Sequence, residues 1–158
     1  MTSRNRIRVM RRTTNLSPHL WNDPHIRQLP ATAQWLYLML HTHQDLNQAG
    51  VIDWHPARLA AMSGDLIAED VEIAGQQLEE AGYLTIDHDT QEAYIDGYNA
   101  TNRYFRSPNM GIAVGTAAQQ TYSRTIRAAL KNELRNLAQQ NPNNSALHVP
   151  QIQDLITE

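Results

Sequence analysis

The 158-residue chain has no cysteine, which excludes disulfides, thiolate nucleophiles and Cys-ligated zinc and fits a cytosolic, cytoplasmic protein. It also lacks any run of about 18 apolar residues, the length a helix needs to cross a bilayer. Its N-terminus carries Arg without an apolar signal core behind it, so no export signal is expected. The motifs of common chemistries are missing as well: no phosphate-binding G-x-x-x-x-G-K-[ST] loop, no G-x-S-x-G elbow, no dinucleotide glycine run and no H-E-x-x-H pair. The seven His are scattered, and His41 and His43, two apart, fall on different faces of any helix. Asp87, Asp89 and Glu92 have the look of a cation loop but lack its glycine and its later bidentate Glu, so a hairpin turn is the better reading. No acid, base and nucleophile converge, and the chain reads as a non-enzyme without cofactor or metal.

What the chain does have is an ordinary globular composition, 41% hydrophobic and 18% charged, in a length that suits one domain plus appendages. Its net charge of −3 hides a strong partition. Residues 1–27 sum to +5, residues 45–96 to −11, residues 97–135 to +5 and the tail to −2. Basic flanks around an acidic middle matter more for partners than the total does.

The organising stretch runs from Gly50 to Tyr98. Val51 and Ile52 suit a short strand. Pro56 fits the first position of a helix and Gly64 its end, giving a short helix over Pro56 to Ser63. Asp65 is placed to cap a second helix, in which Ile67, Val71, Ala74, Gly75 and Leu78 recur at helical spacing. Glu69, Asp70, Glu72, Gln76, Glu79 and Glu80 take its other side, and Gly82 can close it in the left-handed conformation. Leu84 and Ile86, then Ala93 and Ile95, alternate around "DHDTQE", which predicts a hairpin with one face on the core. Strand, two helices and a hairpin is the order of a winged helix-turn-helix, an α+β fold.

Before that stretch, "RNRIRVMRR" alternates Arg4, Arg6 and Arg8 with Ile7 and Val9, and adds Arg11 and Arg12. It reads as an edge strand or as a basic arm that lays Arg on phosphates or in a minor groove. Three X-Pro steps, the last at Leu29-Pro30, break the chain into turns before a helix from Ala31 whose Ala33, Leu36, Tyr37 and Leu40 form an apolar stripe. Leu20 and Trp21 are expected to clip the preceding turn onto it.

Beyond the hairpin, "NRYFRSPN" sets Arg103 and Arg106 among Tyr104 and Phe105, an arrangement that either stacks single-stranded bases or packs its rings and solvates its Arg. A helix through Tyr122 to Leu137 follows. Arg124, Arg127, Lys131 and Arg135 lie within an arc of about 80° on it, and Tyr122, Ile126, Leu130, Leu134 and Leu137 lie largely across the axis. Four cations in a row match a phosphate track; the competing reading pairs them with the acidic middle. "QQNPNNS" is a polar spacer, and "ALHVPQIQDLITE" an apolar tail that docks or stays loose.

The run from Ile7 through "LWNDPHIRQLPATAQWLYLMLHTHQDLNQAGVIDWHPARLAAMSG" to "LEEAGYLTI" and "YIDGY" resembles winged-helix proteins of phages and prophages, especially of actinobacteria. The resemblance covers roughly residues 6–110. It implies a replication-initiation or replisome-organiser protein, or a helix-turn-helix DNA-binding protein, with an aromatic link leading to a final helix. In such a fold the second helix of the motif enters the major groove. Here that helix and the wing carry acids, which leaves its start near Ser63, with Arg58 as a phosphate clamp.

The expected organisation is therefore a basic arm (1–15), a winged helix-turn-helix domain (16–100), a link with a C-terminal amphipathic helix (101–140) and a spacer with an apolar tail (141–158). The expected function is non-catalytic DNA binding by a dimer from a phage or mobile element, serving replication initiation or transcription regulation, with double-stranded DNA and a replication or host protein as partners. The alternative is a protein-interaction module, an acidic winged helix that binds its own copies or a host DNA-binding or CRISPR-type protein.

Overall fold

The computed structural model describes residues 13–158. The order is a 3-10 turn (Pro18–Asn22), α1 (Pro24–Gln28), α2 (Ala31–Thr42), β1 (Val51–Asp53), α3 (Pro56–Ala60), α4 (Ala68–Glu80), β2 (Leu84–Asp87), β3 (Glu92–Ile95), α5 (Tyr98–Thr101), α6 (Pro108–Gln119), α7 (Arg124–Gln140), a second 3-10 turn (Ser145–His148) and α8 (Pro150–Thr157). The architecture is α+β, with a three-stranded antiparallel sheet in the order β1-β3-β2.

The segment before the sheet obeys its prolines. Asp23 caps α1 through the His25 N–H, Pro24 occupies the first helical position, and Gln34 Nε2 donates to the Ile26 carbonyl at 2.9 Å to tie α1 to α2. Ala33, Leu36 and Leu40 are fully buried, as the apolar stripe requires. The clip onto α2 is Ile26 rather than Trp21, which stays exposed: Pro24 starts α1 three residues after Trp21 and turns Ile26 inward. Asp23 also accepts from the Tyr83 hydroxyl at 2.7 Å, which fastens this segment to the end of α4 and holds the Asp23 carboxyl below the usual carboxylate range.

α3 starts on Pro56 as its sequence predicts but ends at Ala60, and a turn spans residues 61–67. Asp65 does not cap α4. Ser63 Oγ donates to Asp65 Oδ1 at 2.8 Å, and the helix starts later, with Asp70 reaching back to the Ile67 N–H at 2.8 Å. Ile67 therefore lies outside the helix and is 62% exposed, while Val71, Ala74, Gly75 and Leu78 face the core. Gly82, at φ +82°, closes the helix in the left-handed region.

The hairpin departs from the expectation of one buried face. All four residues of β3 are buried, because it is the central strand, paired with β1 on one side and β2 on the other, and both α4 and α7 pack on β2. Glu92 and Glu79, expected at the surface, are drawn in. Glu92 accepts from the Tyr122 and Ser123 N–H groups at 3.1 and 2.7 Å, and Glu79 accepts from the Ile86 N–H at 3.1 Å.

The larger difference lies after residue 101. The link contains a full helix, α6, capped by the Ser107 hydroxyl with Pro108 in its first turn. Its glycines hid it from periodicity. A Cβ on Gly111 would sit 2.0 Å from the Ala146 carbonyl oxygen, so the helix needs glycine there to lie against the second 3-10 turn. The apolar tail is docked, with Leu147, Ile152 and Leu155 buried in one hydrophobic cluster that also holds Leu36, Val71, Tyr94, Val114 and Leu130. Tyr122, assigned to the apolar face of the last helix, is 84% exposed, since the Ser123 cap starts α7 after it.

Candidate nucleic-acid interface

Arg4, Arg6, Arg8, Arg11 and Arg12 lie outside the described residues. The other expected contacts fall into three places. Arg58 is exposed on α3, and Ser63, half-buried in the turn after it, is occupied by Asp65. An acid in contact with that hydroxyl repels phosphate, so Ser63 does not read as a contact.

Arg103 and Arg106 are exposed in the link between α5 and α6. Arg103 stretches its guanidinium over the ring of Tyr104, 4.9 Å from the centroid, and donates to the Tyr104 hydroxyl at 2.8 Å. That bond holds the exposed phenol below its ordinary pKa. Phe105, next to it, is buried, and its carbonyl accepts from Asn144 Nδ2 at 2.9 Å, so one ring anchors the link and the other is free of the core.

The four cations of α7 do lie along one side of the helix, opposite the buried Ile126, Leu130, Leu134 and Leu137. Three of them are answered by the C-terminal segment rather than by the acidic middle. Glu158 stands 3.0 Å from Lys131 Nζ and 3.8 Å from Arg127, and the lysine holds its carboxyl below the usual range. Arg135 Nε donates to the Ile156 carbonyl at 2.7 Å, one of the open acceptors at the end of α8. Arg124, in the first turn, is exposed with neither an ion pair nor a side-chain hydrogen bond among the described residues. The phosphate track predicted from the helical wheel is thus largely occupied.

The acids of the middle are similarly redistributed. Asp87 accepts from the Ser123 hydroxyl at 2.5 Å and from the Thr90 and Asp89 N–H groups, which lowers its pKa. With Glu92 it holds the start of α7, so the wing's exposed acid is Asp89. On α4 the outer face keeps Glu69, Glu72 and Glu80 with Ile73, which is 50% exposed, and Met62 and Ile67 stand exposed beside it.

Sequence reasoning missed Glu133. It sits on α7 and caps α5, accepting from the Ala100 N–H at 2.7 Å, while its Oε2 is buried without a partner. Burial pushes its pKa up to about 7. A single acid among "KNELRN" carries no signal of a partner more than thirty residues earlier. No helix among the described residues is long and apolar enough to cross a membrane. Compared with protein-family models, curated proteins and solved structures, the chain matches none of them.

Proposed function

We propose that the chain is a non-catalytic DNA-binding protein built on a winged helix-turn-helix. β1, then α3 and α4 joined by a turn, then the β2–β3 hairpin with β1 added on β3, is an order and topology compatible with that fold. The observation that carries the reading is that Arg58, Arg103, Arg106 and Arg124 stay exposed and free of ion pairs among the described residues, in a chain with 16 acids. Exposed guanidinium groups left without carboxylates are what a polyanion neutralises.

Phosphates are held by these arginines and by the basic arm, and α4, with its acidic outer face, stays out of the groove. A role in replication initiation or transcription regulation for a phage or mobile element rests on the sequence resemblance alone. Assembly as a dimer is part of the same proposal. Fluorescence anisotropy on a labelled duplex of about 30 base pairs tests the reading: affinity falls steeply with salt, and Arg58→Ala with Arg124→Ala reduces the slope by about 2. A flat response at low salt from folded protein overturns it.

One observation favours a second reading. The outer surface of α3 and α4 combines Met62, Ile67 and Ile73 with Glu69, Glu72 and Glu80, which is the chemistry of a protein contact rather than a phosphate contact. A folded protein that ignores DNA leaves this interaction module as the function.

A further inference from the structure

Residues 121–124, which lead into α7, alternate in burial: Thr121 and Ser123 are buried, whereas Tyr122 is 84% exposed and Arg124 is exposed as well. Ser123 is extended, at φ −65° and ψ 121°, and its own side chain points inward. The side chains before and after it therefore leave the outer side of the backbone together, about 6–7 Å apart. That backbone is pinned. Glu92 accepts from the N–H groups of Tyr122 and Ser123, the Ser123 hydroxyl donates to Asp87, and Thr121 Oγ1 donates to the Ala117 carbonyl at 3.2 Å. A ring and a guanidinium thus share one fixed base at the root of the β2–β3 hairpin.

Neither outward residue is where the fold alone would put it. A cation in the first turn of a 17-residue helix faces the positive end of the helix dipole, and Arg124 has no carboxylate among the described residues to offset that. Tyr122, just before the helix cap, leaves a large aromatic ring in water. One exposed ring is ordinary on a protein surface. A ring and an unpaired cation on the same pinned base, both set against local preference, are the mark of a contact.

The charges around the pair indicate what it meets. Glu92 and Asp87 turn their oxygens inward to the donors of residues 122 and 123, so these two acids are spent beneath the contact. Asp89, the exposed acid of the wing, keeps phosphate from the hairpin tip. A DNA strand therefore passes at residues 122–124 rather than at the tip. We propose that this corner between the wing and α7 receives the sugar–phosphate backbone of duplex DNA, one phosphate on Arg124 and the ring of Tyr122 packed on the deoxyribose beside it. The inference deepens the DNA-binding reading and rests on it: Tyr122 adds a backbone contact that carries no charge and reads no base.

Fluorescence anisotropy of the full chain on a labelled duplex of about 30 base pairs, over a salt series, separates ring from charge. Tyr122→Ala weakens binding by about fivefold at every salt concentration and leaves the salt slope unchanged, because an uncharged ring displaces no counterion. Arg124→Ala lowers the slope by about 1. Tyr122→Phe binds as the native chain does, since the ring and not the hydroxyl makes the contact. All three substitutions alter exposed side chains, and thermal melting by circular dichroism confirms that the variants fold. Native affinity in Tyr122→Ala overturns the proposal, as does Tyr122→Phe binding no better than Tyr122→Ala, or a slope that Arg124→Ala leaves unchanged. In each of those cases a native chain that binds the duplex leaves the DNA-binding reading standing; a native chain that ignores the duplex overturns both.

Discussion

α4 and α7 lie in the two halves of the chain and treat charge in opposite ways. α4 turns Glu69, Glu72 and Glu80 to solvent with no ion pair among the described residues, whereas Arg127, Lys131 and Arg135 of α7 are met by Glu158 and the Ile156 carbonyl. The wing's acids follow neither pattern, because Asp87 and Glu92 accept hydrogen bonds from the start of α7. Segment charge therefore says little about surface charge. What decides is whether an acid finds donors, and the two residues that lead into α7, Tyr122 and its cap Ser123, supply them.

The sharpest way to break that contrast is at Glu92. Glu92→Ala leaves the buried Ser123 N–H and the part-buried Tyr122 N–H without an acceptor and is expected to cost about 3 kcal/mol in urea unfolding. Glu92→Gln keeps one acceptor and is expected to cost about half as much. Glu72→Ala, on the solvent side of α4, is expected to change stability by less than about 0.5 kcal/mol. Equal effects at Glu72 and Glu92 would remove the distinction between the two helices.

Glu133 is the next largest. Unlike Glu92 it has an oxygen with no partner, so desolvation wins and its pKa rises from 4.5 to about 7. A raised folded-state pKa stabilises the fold fully below about 4.5, and that stability is lost as pH climbs through about 7. The shift corresponds to about 3 kcal/mol across the window. Urea midpoints measured at pH 5 and pH 8 are expected to differ in the native chain and to draw together in Glu133→Gln. Asp23, Asp87 and Glu158, whose pKa values are lowered, act below this window and leave the comparison intact.

A pair of glycines compares the packing of the halves. Gly111→Ala drives a methyl into the backbone oxygen of Ala146 and is expected to cost about 2–3 kcal/mol. Gly75→Ala meets only side chains, Trp54 at 2.7 Å and Ile86 at 3.0 Å, and gains helix propensity in α4, so its expected cost is about 1 kcal/mol. Thermal melting of the two variants side by side ranks them.

Residues 31–96 were the legible part of the chain. Their helix ends sit on proline and glycine, and their apolar residues recur at 3.6 or 2, so local rules placed α2, α3, α4 and the hairpin to within a few residues. The start of α4 was misplaced because Asp65 has the chemistry of a cap but takes the Ser63 hydroxyl instead, while Asp70, expected only on the polar side of the helix, reaches back to the Ile67 N–H. α6 was illegible because small residues form its packed face and no large apolar stripe marks it. The site was read less well than the fold. A helical wheel put four cations in line on α7, but the partners of three of them lie at the end of α8 and just after it, more than twenty residues further on, and pairing at that range leaves no trace in spacing. Arg103 and Arg106 were visible in "NRYFRSPN".

The smallest expected effect separates pairing from stability. Glu158 is half exposed, and an exposed ion pair adds little to a fold, so Glu158→Gln is expected to leave the melting temperature unchanged within error. Its effect falls on charge instead. Removing that carboxylate frees Lys131 and Arg127, which lie on the same side of α7 as Arg124, and a row of three open cations recruits further phosphates. Duplex affinity at low salt is then expected to rise by about threefold, with a steeper salt slope. A rise without a change in slope would mean that the freed side chains never reach the backbone of the DNA, and would confine phosphate contact to Arg58, Arg103, Arg106, Arg124 and the basic arm.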